Sequence, residues 1–217
     1  MPGKDTAVIY HGHASPAKLA RCRDALGSVT HGVEWTDPDR MPERDEPYIL
    51  DNGAYSASLT GDPWSPDRWY QLLAAAHDQP REPDWIVLPD VYGDADATRE
   101  RHERYVEVAR SHGFDYYAVA QPGKGVTTQV RFAEAIGASG VFLGGPEEWK
   151  QDVAQDVRRQ TDRRALQLHI GQPGNLGWAL DIGADSMDTT SIVVNDAYHR
   201  LTKLDGQQSL TEVVAGE

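Results

Sequence analysis

Cysteine is almost missing from this chain of 217 residues. Cys22 is the one thiol, which excludes an intramolecular disulfide and any zinc site built from several cysteines. It sits in a helical pattern between Arg21 and Arg23, where a packed thiol is the expected role. Basic charge is scarce too. Lys and Arg total 21 against 34 Asp and Glu, a formal charge of -13 that disfavours broad attraction to nucleic acid and leaves room for a local basic groove. The acids are mostly Asp and the bases mostly Arg, a bias compatible with a salt-rich cytoplasm or a GC-rich genome. No apolar run approaches the roughly 20 residues of a membrane-spanning helix. Met1-Pro2-Gly3-Lys4-Asp5 lacks the apolar stretch of a secretory signal, so a cytoplasmic location is expected, that of the host if the chain is viral. With no low-complexity tract, repeat or linker, one domain is expected over residues 1–205, followed by a frayed tail over 206–217.

What is present is globular: 39% hydrophobic and 25% charged residues suffice for a core. Short apolar strands alternate with helical patterns. Strands are expected at Thr6–Tyr10, Val33–Trp35, Tyr48–Leu50, Trp85–Leu88, Tyr116–Ala120, Val141–Leu143, Leu166–Ile170 and Ser186–Asp188. Ser15-Pro16 and Ser65-Pro66 are N-cap signatures, and the patterns predict helices over 17–26, from 66, and over 94–111, 126–136, 147–160, 175–180 and 196–204. The strands lack in-out alternation, as when both faces are covered. Eight strands in strict alternation favour a small (β/α)8 barrel without added domains over an open doubly wound sheet.

In such a barrel the C-terminal strand ends share one face, and here those ends are polar. Asp51 follows Leu50, Asp90 follows Leu88-Pro89, Gln121 follows Ala120, and Asp188 closes the last strand. Each has an ordinary reading as well. Asp51-Asn52-Gly53 is turn chemistry, Asp90 sits in a Pro/Gly loop, and Asp185 points away from Asp188's neighbourhood or caps. Asp188 has no adjacent glycine or proline to account for it. Two carboxylates and an amide at one mouth suit glycosidic bond cleavage, and a carboxylate also matches the donor edge of guanine.

Five segments in order then resemble the tRNA-guanine transglycosylase superfamily, most of all its compact relatives that act on DNA. They are Asp51-Asn52-Gly53-Ala54-Tyr55, Val87-Leu88-Pro89-Asp90, Ala118-Val119-Ala120-Gln121, Phe142-Leu143-Gly144-Gly145, and Leu168 to Pro173 followed by Gly183 to Asp188. The resemblance implies base exchange, guanine for a 7-deazaguanine, with Asp188 as covalent nucleophile on C1′ and Asp51 moving protons. It implies a base pocket of Asp90, Gln121, Gly144 and Gly145 with Tyr55 and Leu168 on the two ring faces. It further implies no cofactor, a nucleic-acid substrate (DNA in preference to tRNA) and a possible partner protein. The family's zinc site and its arginine-rich segment have no counterpart here. Lys124, Lys150, Arg99 and Arg101 are the basic residues expected near the mouth.

Two other readings compete. His11-Gly12-His13 at the first strand end, with Asp188 on the last, is the ligand pattern of a metal-dependent amidohydrolase barrel. A non-catalytic barrel that holds guanine or a nucleic-acid end is the other.

Overall fold

In a computed structural model, residues 7–41 and 45–204 are described, and they form a closed barrel of eight parallel strands with helices outside. The tail expected over 206–217 lies outside the described residues. The strands are β1 (Val8–Gly12), β2 (Thr30–Trp35), β3 (Tyr48–Leu50), β4 (Trp85–Val87), β5 (Tyr116–Ala120), β6 (Gly140–Leu143), β7 (Gln167–Ile170) and β8 (Ser186–Thr189). Each pairs with the next in sequence, and β8 closes on β1 with Val8 opposite Ser186 and Tyr10 opposite Asp188. The helices are α1 (Pro16–Ala25), α2 (Ala54–Thr60), α3 (Pro66–Ala76), α4 (Ala95–His112), α5 (Val126–Ala135), α6 (Glu147–Asp162), α7 (Leu176–Asp181) and α8 (Ser191–Val194), with helical residues again at 199–204.

The local signals act as their chemistry dictates. Ser15 and Ser65 cap α1 and α3 by accepting the N–H of Lys18 and Arg68, and Asn175 caps α7 by accepting that of Trp178. Gly113 ends α4 in a left-handed conformation, φ 79°. Helix α2 has no apolar periodicity and stands between two left-handed glycines, Gly53 and Gly61. The sequence reading missed it. No helix among the described residues is long and apolar enough to cross a membrane.

Two apolar layers hold the barrel. Outside the strands, a continuous core joins Ile9, Leu50, Ile86, Leu143, Leu168, Ile170 and Met187 to the inner faces of the helices. Inside, Tyr10, Ile49, Trp85, Val87, Tyr117 and Val119 fill the lumen, with Phe142 against them. Trp85 and Tyr117 stack at 4.0 Å and 7°. These rings need room opposite. A Cβ on Gly32 would fall 2.7 Å from the Tyr10 ring, and one on Gly140 would fall 2.6 Å from the Tyr117 ring. Large rings against bare backbone plug the lower barrel, and the open space lies above them, at the C-terminal strand ends.

Candidate active site

A cavity of about 510 Å³ occupies that end. Its floor is Val87, Val119 and Phe142, and its walls bring together Asp51, Asp90, Gln121, Gly144, Gly145 and Asp188 from five different strand ends. Glu34, at the end of β2, joins them. The sequence reading missed Glu34 because it lay in the least regular strand, before the Asp37-Pro38 loop.

Asp188 is 1% exposed, and its two oxygens have different surroundings. Oδ1 accepts from the backbone N–H of Gln172 at 3.1 Å and lies 2.8 Å from His169 Nε2, while Oδ2 is buried with no partner. His169 is fully buried between the rings of Phe142 and Trp85, which holds its pKa below the ordinary histidine value. A neutral imidazole facing a carboxylate must carry its proton on Nε2, so Nδ1 accepts from the Ser186 hydroxyl at 2.9 Å. Gln172 reaches Asp188 by adopting φ 41°, a left-handed conformation that costs a non-glycine residue about 1–2 kcal/mol. Lys150 holds that turn from below. Its buried ammonium donates to the carbonyls of Gly171 and Gln172 and pairs with Glu147 at 3.1 Å. Lys150 is therefore a structural strut, not a surface cation.

Asp51 accepts the Gly53 N–H at 3.1 Å, so the turn reading also holds. Burial, with Asp90 and Asp188 nearby, pushes its pKa up to about 7 despite the backbone donors at Gly53 and Asn52. Glu34 is raised well above the carboxylate range by burial, then by Asp188 and Asp51. Asp90 is raised by burial, against the lowering pull of its amide donors. Both Asp90 oxygens are occupied. Asn52 Nδ2 donates to Oδ1 at 2.9 Å and Gln121 Nε2 to Oδ2 at 2.7 Å, while Gln121 Oε1 accepts from Gly93 N–H at 3.0 Å.

Tyr55 stands at the rim, 46% exposed, with its ring 5.0 Å from that of Tyr92. Leu168 is not in the cavity. It is fully buried in the layer outside the strands, because alternate residues of β7 face opposite ways and His169 takes the inward position. His11 also faces outward. It lies 2.9 Å from His31, which in turn bonds the Leu26 carbonyl, and with Cys22 the two histidines form a buried cluster whose ligand atoms lie within 4.8 Å. Facing away from the lumen, His11 cannot share a metal with Asp188, so the amidohydrolase pattern is not built; His13 lines the mouth alone. The other expected basic residues are engaged: Lys124 with Asp96, Arg99 with Glu103, and Arg101 with the Asp90 carbonyl and the Trp64 ring.

No family model matches the chain, and no curated protein does. Solved structures do share its fold. A chain of the tryptophan synthase complex from Pyrococcus furiosus superposes with a TM-score of 0.52 at 15% identity, covering 92% of this chain and 94% of that one. The 3-hexulose-6-phosphate synthase of Salmonella typhimurium gives 0.51 at 12%, covering 93% and 99%. At such identities the likeness establishes the (β/α)8 fold alone.

These findings overturn the transglycosylase resemblance. The two barrels named above are synthases, not members of the tRNA-guanine transglycosylase superfamily. The site itself gives the physical reasons. The Asp90 oxygens expected for guanine's donor edge accept from Asn52 and Gln121, and in the double-glycine segment expected to meet the base oxygen the Gly144 N–H donates to the Ala120 carbonyl at 3.1 Å. Leu168 cannot cover a base. Base exchange, guanine and 7-deazaguanine ligands, a DNA or tRNA substrate and a nucleic-acid partner are accordingly set aside, as are the amidohydrolase and guanine-binder alternatives.

Proposed function

We propose that this barrel is an acid–base enzyme of the lyase or isomerase type, acting on a small molecule held at the C-terminal mouth. The observation that carries the reading is the unequal state of carboxylates at one cavity. Asp188 has one oxygen fixed by His169 and Gln172, whereas Asp51 has a pKa of about 7 and so exists in both protonation states near neutrality. Carboxyl groups whose environments separate their proton affinities divide into acid and base.

In this reading Asp51, as the carboxylate, takes a proton from a carbon beside an electron-withdrawing group. The released electron pair forms a double bond as the bond to the leaving atom breaks. Glu34, whose proton affinity burial raises well above that of an ordinary carboxylate, supplies a proton to that atom. His169 and Gln172 are positioning residues for Asp188, whose free oxygen holds the substrate. The small-molecule names of the superposed barrels, tryptophan and hexulose 6-phosphate synthases, agree with a cavity of this size, and they carry no weight beyond that. A proton-exchange assay tests the reading. Small carbonyl compounds and amines are incubated in deuterated water with wild type and with Asp51→Asn, and deuterium at carbon is read by NMR. Exchange in wild type that is lost in the variant supports it; exchange undiminished in Asp51→Asn contradicts it.

A further inference from the structure

Three carboxyl groups of the cavity, Glu34, Asp51 and Asp188, face it without a cation of the protein's own. Its two lining cations are already paired: Lys150 with Glu147 at 3.1 Å, and Arg40 with Asp37 at 3.3 Å. No lysine or arginine among the described residues forms an ion pair with Glu34, Asp51 or Asp188, and the partner of Asp188 is the uncharged ring of His169. Asp188 Oδ2 is a buried acceptor with nothing to accept from. Leaving such an oxygen dry costs free energy that a donor on a bound molecule would recover.

The one cluster among the described residues that brings three ligand atoms close enough for an ion is His11, Cys22 and His31, outside the lumen. Glu34, Asp51 and Asp188 form no such cluster, and an organic cation can span carboxyl groups that do not converge on one point. Aromatic faces complete the frame. Phe142 lies on the floor, and Tyr55 and Tyr92 stand paired at the mouth, 46% and 37% exposed. Carboxylates and aromatic rings lining one cavity form the recognition chemistry of ammonium and guanidinium groups.

We propose that the substrate is a small organic cation, with its ammonium or guanidinium group donating to Asp188 Oδ2 between Glu34 and Asp51. The inference rests on the acid–base reading above and adds the charge of the substrate. It explains why three carboxyl groups are left together without a cation of the protein's own: the ligand supplies it. Binding must then release a proton near neutral pH, because a positive charge beside Asp51 favours its ionised form, the form in which it acts as base.

Isothermal titration in buffers of different ionisation enthalpy tests this with putrescine and agmatine as cations, 1,4-butanediol as the neutral match of putrescine, and glucose 6-phosphate as the anion. The expected result is that a cation binds with proton release near pH 7, the diol binds roughly ten- to hundredfold more weakly, and Asp188→Asn loses a similar factor while its melting temperature is kept. If Asp188→Asn does not fold, Glu34→Gln and Tyr55→Ala provide the same comparison. Diol or sugar phosphate binding as tightly as both cations, cation binding indifferent to these substitutions, or no binding by any probe overturns the inference. The acid–base reading fails separately, if Asp51 titrates in the ordinary carboxylate range.

Discussion

His169 Nε2 lies 2.8 Å from Asp188 Oδ1, and the other oxygen of the same carboxylate is buried without a partner. One side of Asp188 is thus committed to the protein and the other is left for a ligand. The imidazole is stacked on Phe142 and meets Trp85 edge to face, so it holds the carboxylate in one orientation. His169→Gln keeps a donor but loses the stacked ring. We expect a destabilisation of about 1–3 kcal/mol in denaturant unfolding and a larger loss in catalytic turnover than in substrate affinity. A variant with wild-type turnover would remove His169 from its positioning role.

Asp51 also gives stability a pH dependence. Its folded pKa of about 7 lies above the ordinary 3.8, so the folded chain binds a proton that the unfolded chain releases. Stability from this group is present below 3.8 and is lost as pH rises to about 7. Above that it is constant. Asp51→Asn removes this loss, so the variant should exceed wild type in stability at pH 8 by on the order of 1–3 kcal/mol, with the gap narrowing toward pH 4. A gap that does not vary with pH would contradict the assignment.

The Asp90 network is predicted to be structural and to shape the pocket wall. Gln121→Ala leaves Asp90 Oδ2 and the Gly93 N–H without their partner, at a cost of about 1–3 kcal/mol to folding measured by thermal melting. The melting curve should fall most at high pH, where the carboxylate that lost its donor is ionised. An unchanged melting temperature would show that water replaces the amide without cost.

Glycine inside the barrel is a packing requirement. Gly140→Ala drives a methyl to 2.6 Å from the Tyr117 ring and should destabilise by about 1–3 kcal/mol. Gly27→Ala meets nothing closer than the Arg23 carbonyl at 3.5 Å and should be neutral or slightly stabilising. Equal melting temperatures for the two variants would contradict this account of the lumen.

Strand–helix alternation was legible because each unit carries its own punctuation. Ser15-Pro16 and Ser65-Pro66 start helices, and apolar triplets such as Tyr48–Leu50 can only be strands buried on both faces. That double burial also hid the site. Where both faces of β7 are buried, polarity does not tell lumen from outer layer, so Leu168 was read as facing a ligand and His169 was not. The same ambiguity placed His11 in a metal site that it faces away from. Glu34 obeyed the strand-end rule that found Asp51, but β2 is interrupted by Gly32, whose role is to admit the Tyr10 ring. Motif order led to a base-exchange chemistry, whereas Asp90 and Gly144 are held in the pocket wall by Asn52, Gln121 and the Ala120 carbonyl, and Leu168 lies outside the lumen.

The central claim is that a carboxyl group at the barrel mouth is poised near neutrality. Carbon-13 NMR titration of the aspartate side-chain carboxyls, with Asp51 assigned by its loss in Asp51→Asn, measures this directly. We predict that the Asp51 carboxyl of the wild type titrates at about 7 and that its titration shifts downward when putrescine is added. A titration near 3.8, the ordinary value, would contradict the account.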